Sequence, residues 1–166
     1  MSRSVIIIAT LALITPVLAA DPPKPGSFSE AVAQQSSDME KVKAASQAFY
    51  AALNNRDPSA MEKVWAHTPY VVHISPVAKM IFVGWDDVGK SWEDVSNTTS
   101  QIKVSFSEAG VLQIEGKLAW EVGIEKGQVT LKDGNVINIE AFATNIYQNL
   151  DVGWLMVSHH AGQIPK

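Results

Sequence analysis

Apolar and polar residues alternate with two different periods along this chain, and the change of period divides it in two. Before residue 100 the spacing is helical. Met39, Val42, Phe49 and Leu53 share one face, Met61, Val64 and Trp65 another, and Trp85, Val88, Trp92 and Val95 a third. Ser37-Asp38-Met39-Glu40 fits a capping box that starts the first helix at Ser37, and Asn54-Asn55 ends it. Asp57-Pro58 restarts a helix, because Asp accepts from free amides at an N-cap and Pro suits the first helical position. Tyr70 to Ser75 and Met80 to Val83 read as two strands around Pro76-Val77-Ala78-Lys79, and Gly84 turns the chain into the third helix.

From Gln101 the period falls to two, with Ile102, Val104 and Phe106 alternating with polar partners. Strands then run from Leu118 to Leu131, Val136 to Gln148 and Trp154 to His160, broken by turn residues at 132–135 and 149–153. Helices first and a long meander last predict an α+β fold, a curved antiparallel sheet wrapped around N-terminal helices into a one-ended cone with a pocket. Within Val136 to Gln148, Ile139, Ala141 and Ala143 lie on one face while Phe142 and Ile146 lie on the other. Helices cover one face only, so the outer face needs a second cover, and a homodimer supplies it most simply.

At 166 residues the chain predicts one domain. Residues 1–20 carry Arg3, an apolar run from Val5 to Ile14, and Ala19-Ala20 before Asp21, the order of a signal peptide; the run is too short to span a bilayer. Residues 21–36 read as a Pro-rich leader and 37–166 as the domain, which makes the mature protein secreted or periplasmic, with no membrane contact after signal cleavage. There is no cysteine, so the fold rests on its core and thiol chemistry is excluded. The net charge of −4, with Lys and Arg scattered, offers nucleic acid no docking surface.

Four pieces carry a family resemblance: Phe49 to Asp57; the hairpin into Gly84-Trp85-Asp86-Asp87-Val88; Gly116 to Trp120; and Gly153 to His160. Together they resemble the nuclear transport factor two-like superfamily, which holds the SnoaL-like proteins, ketosteroid isomerases and kinase association domains. The resemblance implies a cystatin-like cone from Ser37 to Gly162. It does not fix function, because the superfamily uses one cone for isomerases, cyclases, dehydratases and binding domains. The Tyr donor of ketosteroid isomerases falls at Phe49 and their Asp base at Ser75, which argues against that chemistry. Two arginines that would hold a carboxylate in association domains fall at Asn145 and Ala161. In the same register Asn145 and Tyr147 point into the pocket, and His160 is the histidine of the last strand.

His73, placed inward by alternation from Ser75, is either a general base or a partly buried histidine bonded to a neighbouring carbonyl. His159 and His160 are adjacent on a strand, so they point to opposite faces. Trp65, Trp92 and Trp120 line an aromatic cavity or are plain core. No spacing motif marks a metal site and no cofactor is implied. Glu121 and Glu125 read as solvated. The expectation is an exported domain binding a small, largely apolar molecule. Proton transfer or hydration and dehydration would use His73 or His160, with Tyr50, Asn145 and Tyr147 as donors. The alternative is a non-catalytic ligand-binding or homo-oligomeric assembly domain.

Overall fold

A computed structural model describes residues 27–77, 80–107 and 110–165. The expected signal peptide, and the leader as far as Gly26, lie outside the described residues. Three helices come first: α1 (Ser27–Asn55), α2 (Pro58–Val64) and, after a hairpin of β1 (Val72–Ile74) and β2 (Phe82–Val83), α3 (Trp85–Thr98). Five strands complete the chain: β3 (Thr99–Phe106), β4 (Val111–Glu115), β5 (Leu118–Leu131), β6 (Val136–Leu150) and β7 (Gly153–Gln163).

Helix α1 begins at Ser27, ten residues before the expected cap. The run Glu30-Ala31-Val32-Ala33-Gln34-Gln35 is rich in good helix formers, and extending an existing helix is easy once it has nucleated. Ser37 and Asp38 therefore sit inside the helix, so the residues from Ser27 are helix and not extended leader. Asp38 accepts instead from Gln34 and from the Trp154 indole at 3.3 Å, which ties α1 to the last strand. Arg56 holds a left-handed conformation (φ 53°) at the end of α1, where the amides of Arg56 and Asp57 bond back to Leu53 and Ala52. Asp57 then caps α2, accepting from Ala60 at 3.0 Å, with Pro58 in the first turn as its sequence predicts.

The strands form one curved, unclosed sheet in the order β2-β1-β7-β6-β5-β3, with β4 also on β5. Fourteen-residue β5 carries both: β3 pairs with its second half, β4 with its first. Most pairings are antiparallel, but β1 runs parallel to β7, so the sheet is mixed where an antiparallel one was expected. The cause is connectivity. β1 enters from helix α2 and docks beside the strand that ends the meander, which no hairpin links to it.

The concave face packs on the helices through Val42, Phe49, Trp65, Val88, Tyr147 and Met156. Ile139, Ala141 and Ala143 are buried while Phe142 is 61% exposed, so β6 faces as its alternation predicts. Strand β7 carries one irregularity. Ile146 pairs with Ser158 but Tyr147 with Met156, which leaves Val157 as an extra residue, a β-bulge.

Candidate functional site

The bulge decides which histidine enters the cone. Trp154 and Met156 face inward, and strict alternation would continue with Ser158 and His160. The additional residue reverses the phase, so His159 is 3% exposed while His160 is on the outer face. The expected inward His160 is thus corrected to His159. Register then sets a single polar row across four strands, with Glu121 opposite Asn145, Asn145 opposite His159 and His159 opposite His73. The next inward positions are small: Gly123, Ala143 and Ala161 also pair in one row. A Cβ on Gly123 would come 2.6 Å from the Phe106 ring, so the missing side chain leaves room for that aromatic.

Into this space α1 lowers Ser46, Phe49 and Tyr50. Glu121 Oε1 accepts from Ser46 Oγ at 2.6 Å, Tyr147 Oη at 2.7 Å and Asn145 Nδ2 at 2.8 Å. Asn145 Nδ2 also donates to Tyr50 Oη at 3.1 Å, and Tyr50 Oη donates to Glu125 Oε1 at 2.9 Å. The Asn145 carbonyl oxygen accepts from His159 Nδ1 at 2.7 Å, leaving His159 Nε2 as the bare nitrogen, 3.7 Å from Glu125. His73 Nδ1 lies 3.0 Å from Ser91 Oγ, whose own hydrogen goes to Val88 O at 2.7 Å. The His73 hydrogen is therefore on Nδ1.

Burial dominates the electrostatics of this network. It pushes the Glu125 carboxyl up to about 7, against the Tyr50 hydrogen bond. It lowers His73 to about 3 and holds His159 well below the usual histidine range, so both imidazoles are neutral at pH 7. Tyr50 and Tyr147 are raised above the ordinary tyrosine value, first by burial and then by Glu125 and Glu121 respectively. Both phenols stay protonated and act as donors.

A cavity of about 600 Å³ opens between α1, β3 and β4. Its buried polar wall is Ser46, Tyr50 and Glu121, its apolar sides are Ala51, Val104, Phe106 and Leu112, and Lys43 and Gln47 stand on the helix beside it. Tyr50 is the expected ligand-binding residue that lines it. Asn145 and Tyr147 lie behind the wall and hold Glu121. Trp65 and Trp92 are core, in contact with each other and with His73 rather than with the cavity. Trp120 is 37% exposed on the outer face, because it neighbours inward Glu121 on the same strand. Glu121 and Glu125, expected to be solvated, are 7% and 2% exposed. The sequence held one signal for them, since both share the phase of Ala119 and Gly123. Among the described residues, no three of His, Cys, Asp or Glu are placed to share a metal ion.

A one-ended cone whose inner sheet row carries a hydrogen-bonded acid beside a lateral cavity belongs to the SnoaL/nuclear transport factor two-like class. Residues 42–165 match the model of the SnoaL-like domain, and the chain belongs to that family. One similar solved structure is a candidate dehydratase of the same superfamily from Streptomyces avermitilis. It has 21% identity and a TM-score of 0.70, covering 80% of this chain and 99% of that one. Another is a candidate calcium/calmodulin-dependent protein kinase type II association domain from Thiobacillus denitrificans. It has 27% identity and a TM-score of 0.62, covering 74% and 94%. A ketosteroid isomerase-like protein from Erwinia carotovora atroseptica has 20% identity and a TM-score of 0.64, covering 78% and 98%. No curated protein matches this chain significantly in sequence.

Proposed function

We propose that this SnoaL-like chain binds a small, largely apolar molecule in the cavity beside α1 and moves a proton on it, with Glu121 as the proton carrier. One observation carries the reading. A carboxylate held by three donors from α1 and β6 stands on the wall of a cavity large enough for a ring compound. Glu121 takes a proton from one position of the substrate and returns it at another, which is a tautomeric shift. Where the substrate carries a hydroxyl on the neighbouring carbon, the returned proton goes to that oxygen and water leaves. Ser46, Asn145 and Tyr147 keep the carboxylate oriented, and Glu125 behind Tyr50 provides a second buried acid titrating near neutrality. His73 and His159 are structural supports of the row in this reading, being neutral and away from the cavity.

The test is exchange of ligand C–H for deuterium in D2O, followed by NMR over a panel of ring phenols and ring ketones. Glu121→Gln lowers the exchange by about a hundredfold or more while binding persists. Exchange that survives this substitution unchanged removes Glu121 from the role.

A second reading concerns assembly. The outer sheet face exposes Val111, Leu118, Trp120, Val122 and Phe142, an apolar surface no element of this chain covers among the described residues. Of the charges beside it, Lys126 and Glu140 pair at 2.9 Å, while Glu115 stands at the edge opposite Leu118. We infer a homodimer through it, and the 27% identity to an association-domain candidate fits this reading. Trp120→Glu should convert the dimer to a monomer in light scattering; an unchanged mass rejects the interface. Export, inferred from residues 1–20, is tested by sequencing the N-terminus of the mature protein, which should begin at or near Asp21.

A further inference from the structure

Resting on the cavity reading above, we infer that the buried end of the ligand carries a hydroxyl, a hydrogen-bond donor, and that a ligand ending in a carbonyl or carboxylate is rejected. The direction of every hydrogen on the inner wall leads there. Asn145 offers its carbonyl oxygen to His159, so its amide hydrogens point the other way, at Tyr50 and Glu121. Tyr50 Oη already accepts from Asn145 and sends its own hydrogen to Glu125, away from the cavity. Ser46 sends its hydrogen to Glu121. The three polar side chains buried in the wall thus have no hydrogen left for a ligand.

Acceptor capacity, by contrast, remains. A carboxylate accepts at both oxygens, yet all three donors reach Glu121 Oε1. Oε2 of this cavity-lining residue takes no hydrogen bond from the protein, and the Ser46 hydroxyl adds lone pairs to the same wall. A ligand carbonyl pushed against this wall would displace water from a carboxylate and give no hydrogen in return, the costly case for a polar group leaving water. A ligand hydroxyl replaces the water's hydrogen bond at Oε2 with a charge-assisted one. The sides formed by Ala51, Val104, Phe106 and Leu112 then take an apolar ring, with Phe106 stacked on Tyr50 at 5.4 Å as its flat floor. Elsewhere in the lining, Asn54 is held by the Val104 backbone through both its amide nitrogen and its oxygen, Ser107 Oγ accepts from Ile124 N, and the Lys43 ammonium outside the buried wall is bonded to Glu40 at 3.0 Å. The ligand class is therefore a hydroxyl-bearing ring, a phenol or a ring alcohol, entering hydroxyl first.

Three probes of one shape separate the outcomes. These are β-naphthol, its methyl ether and the corresponding methyl ketone, each titrated against the full mature chain by calorimetry at pH 7. The naphthol should bind at least about tenfold more tightly than the ether and the ketone. In Glu121→Gln, whose amide also offers hydrogens, the preference should shrink to within about threefold. The unmodified chain decides the matter even if the variant folds poorly. Ether or ketone binding as tightly as the naphthol overturns the donor inference and leaves the cavity reading standing. If none of the three binds, the cavity reading fails and this inference with it.

Discussion

Replacing Glu125 by Gln should change the pH dependence of stability by a predictable amount. The carboxyl is 2% exposed, accepts from Tyr50 at 2.9 Å, and is pushed by burial from 4.5 to about 7. The folded chain therefore holds this proton more tightly than the unfolded chain. Below pH 4.5 both states are protonated and the stabilisation is fully present. As pH rises, the unfolded chain releases the proton first, and the stabilisation is lost once pH passes about 7. At about 1.4 kcal/mol per pH unit, the displacement amounts to about 3 kcal/mol. Gln keeps an acceptor for Tyr50 and does not titrate. His73 and His159 carry the opposite sign, since their lowered values remove stability as pH falls below 6.5, but both chains contain them and the difference cancels them. Tyr50, the other group facing Glu125, stays neutral throughout. Urea unfolding followed by tryptophan fluorescence measures both proteins. The stability of the unmodified chain minus that of Glu125→Gln should fall by about 3 kcal/mol between about pH 4.5 and pH 8. Parallel curves would show that Glu125 ionises as freely folded as unfolded, and would refute the burial argument.

Three further outcomes follow from the same geometry. Deleting Val157 removes the bulge and leaves Met156 and His159 in unbroken alternation on the inner face, so the loss should stay below about 2 kcal/mol in urea unfolding, and His160→Ala should stay within about 0.5 kcal/mol. Tyr147→Phe removes one of three donors to Glu121 and should destabilise the fold by about 2 kcal/mol, measured the same way at pH 7. Gly123→Ala should displace the Phe106 ring, at about 1 to 3 kcal/mol of stability, and weaken ligand binding to the cavity it borders by calorimetry.

Much of the cone could be read from spacing alone, because helical and strand periods differ and Asp57-Pro58 and Gly84 punctuate them. Single residues defeated the rest. Nothing in Met156-Val157-Ser158 announces a bulge, which exists only relative to the Ile146-Tyr147 pair on β6, and with it went the choice between two adjacent histidines. Trp120 was placed inside on size and Glu121 outside on charge. The fold does the reverse, because Ser46, Asn145 and Tyr147 converge on that carboxylate from 75, 24 and 26 residues away respectively. Asn145 and Tyr147 follow from the register of the family resemblance, and Tyr50 from its place beside Phe49 on the first helix. Their shared partners do not, since hydrogen bonds across such separations leave no local pattern.

The parallel pairing of β1 with β7 also orders the assembly of the molecule. Among the described residues, Val72 to Ile74 have as strand partners the two residues of β2 and the strand that begins at Gly153. Roughly eighty residues must be placed before that strand can close the gap, a long loop to bring together in a folding chain. The wall bearing His73 is thus the last part of the sheet to find its neighbour, and a nascent chain halted before Gly153 would hold its helices and meander without a finished interior.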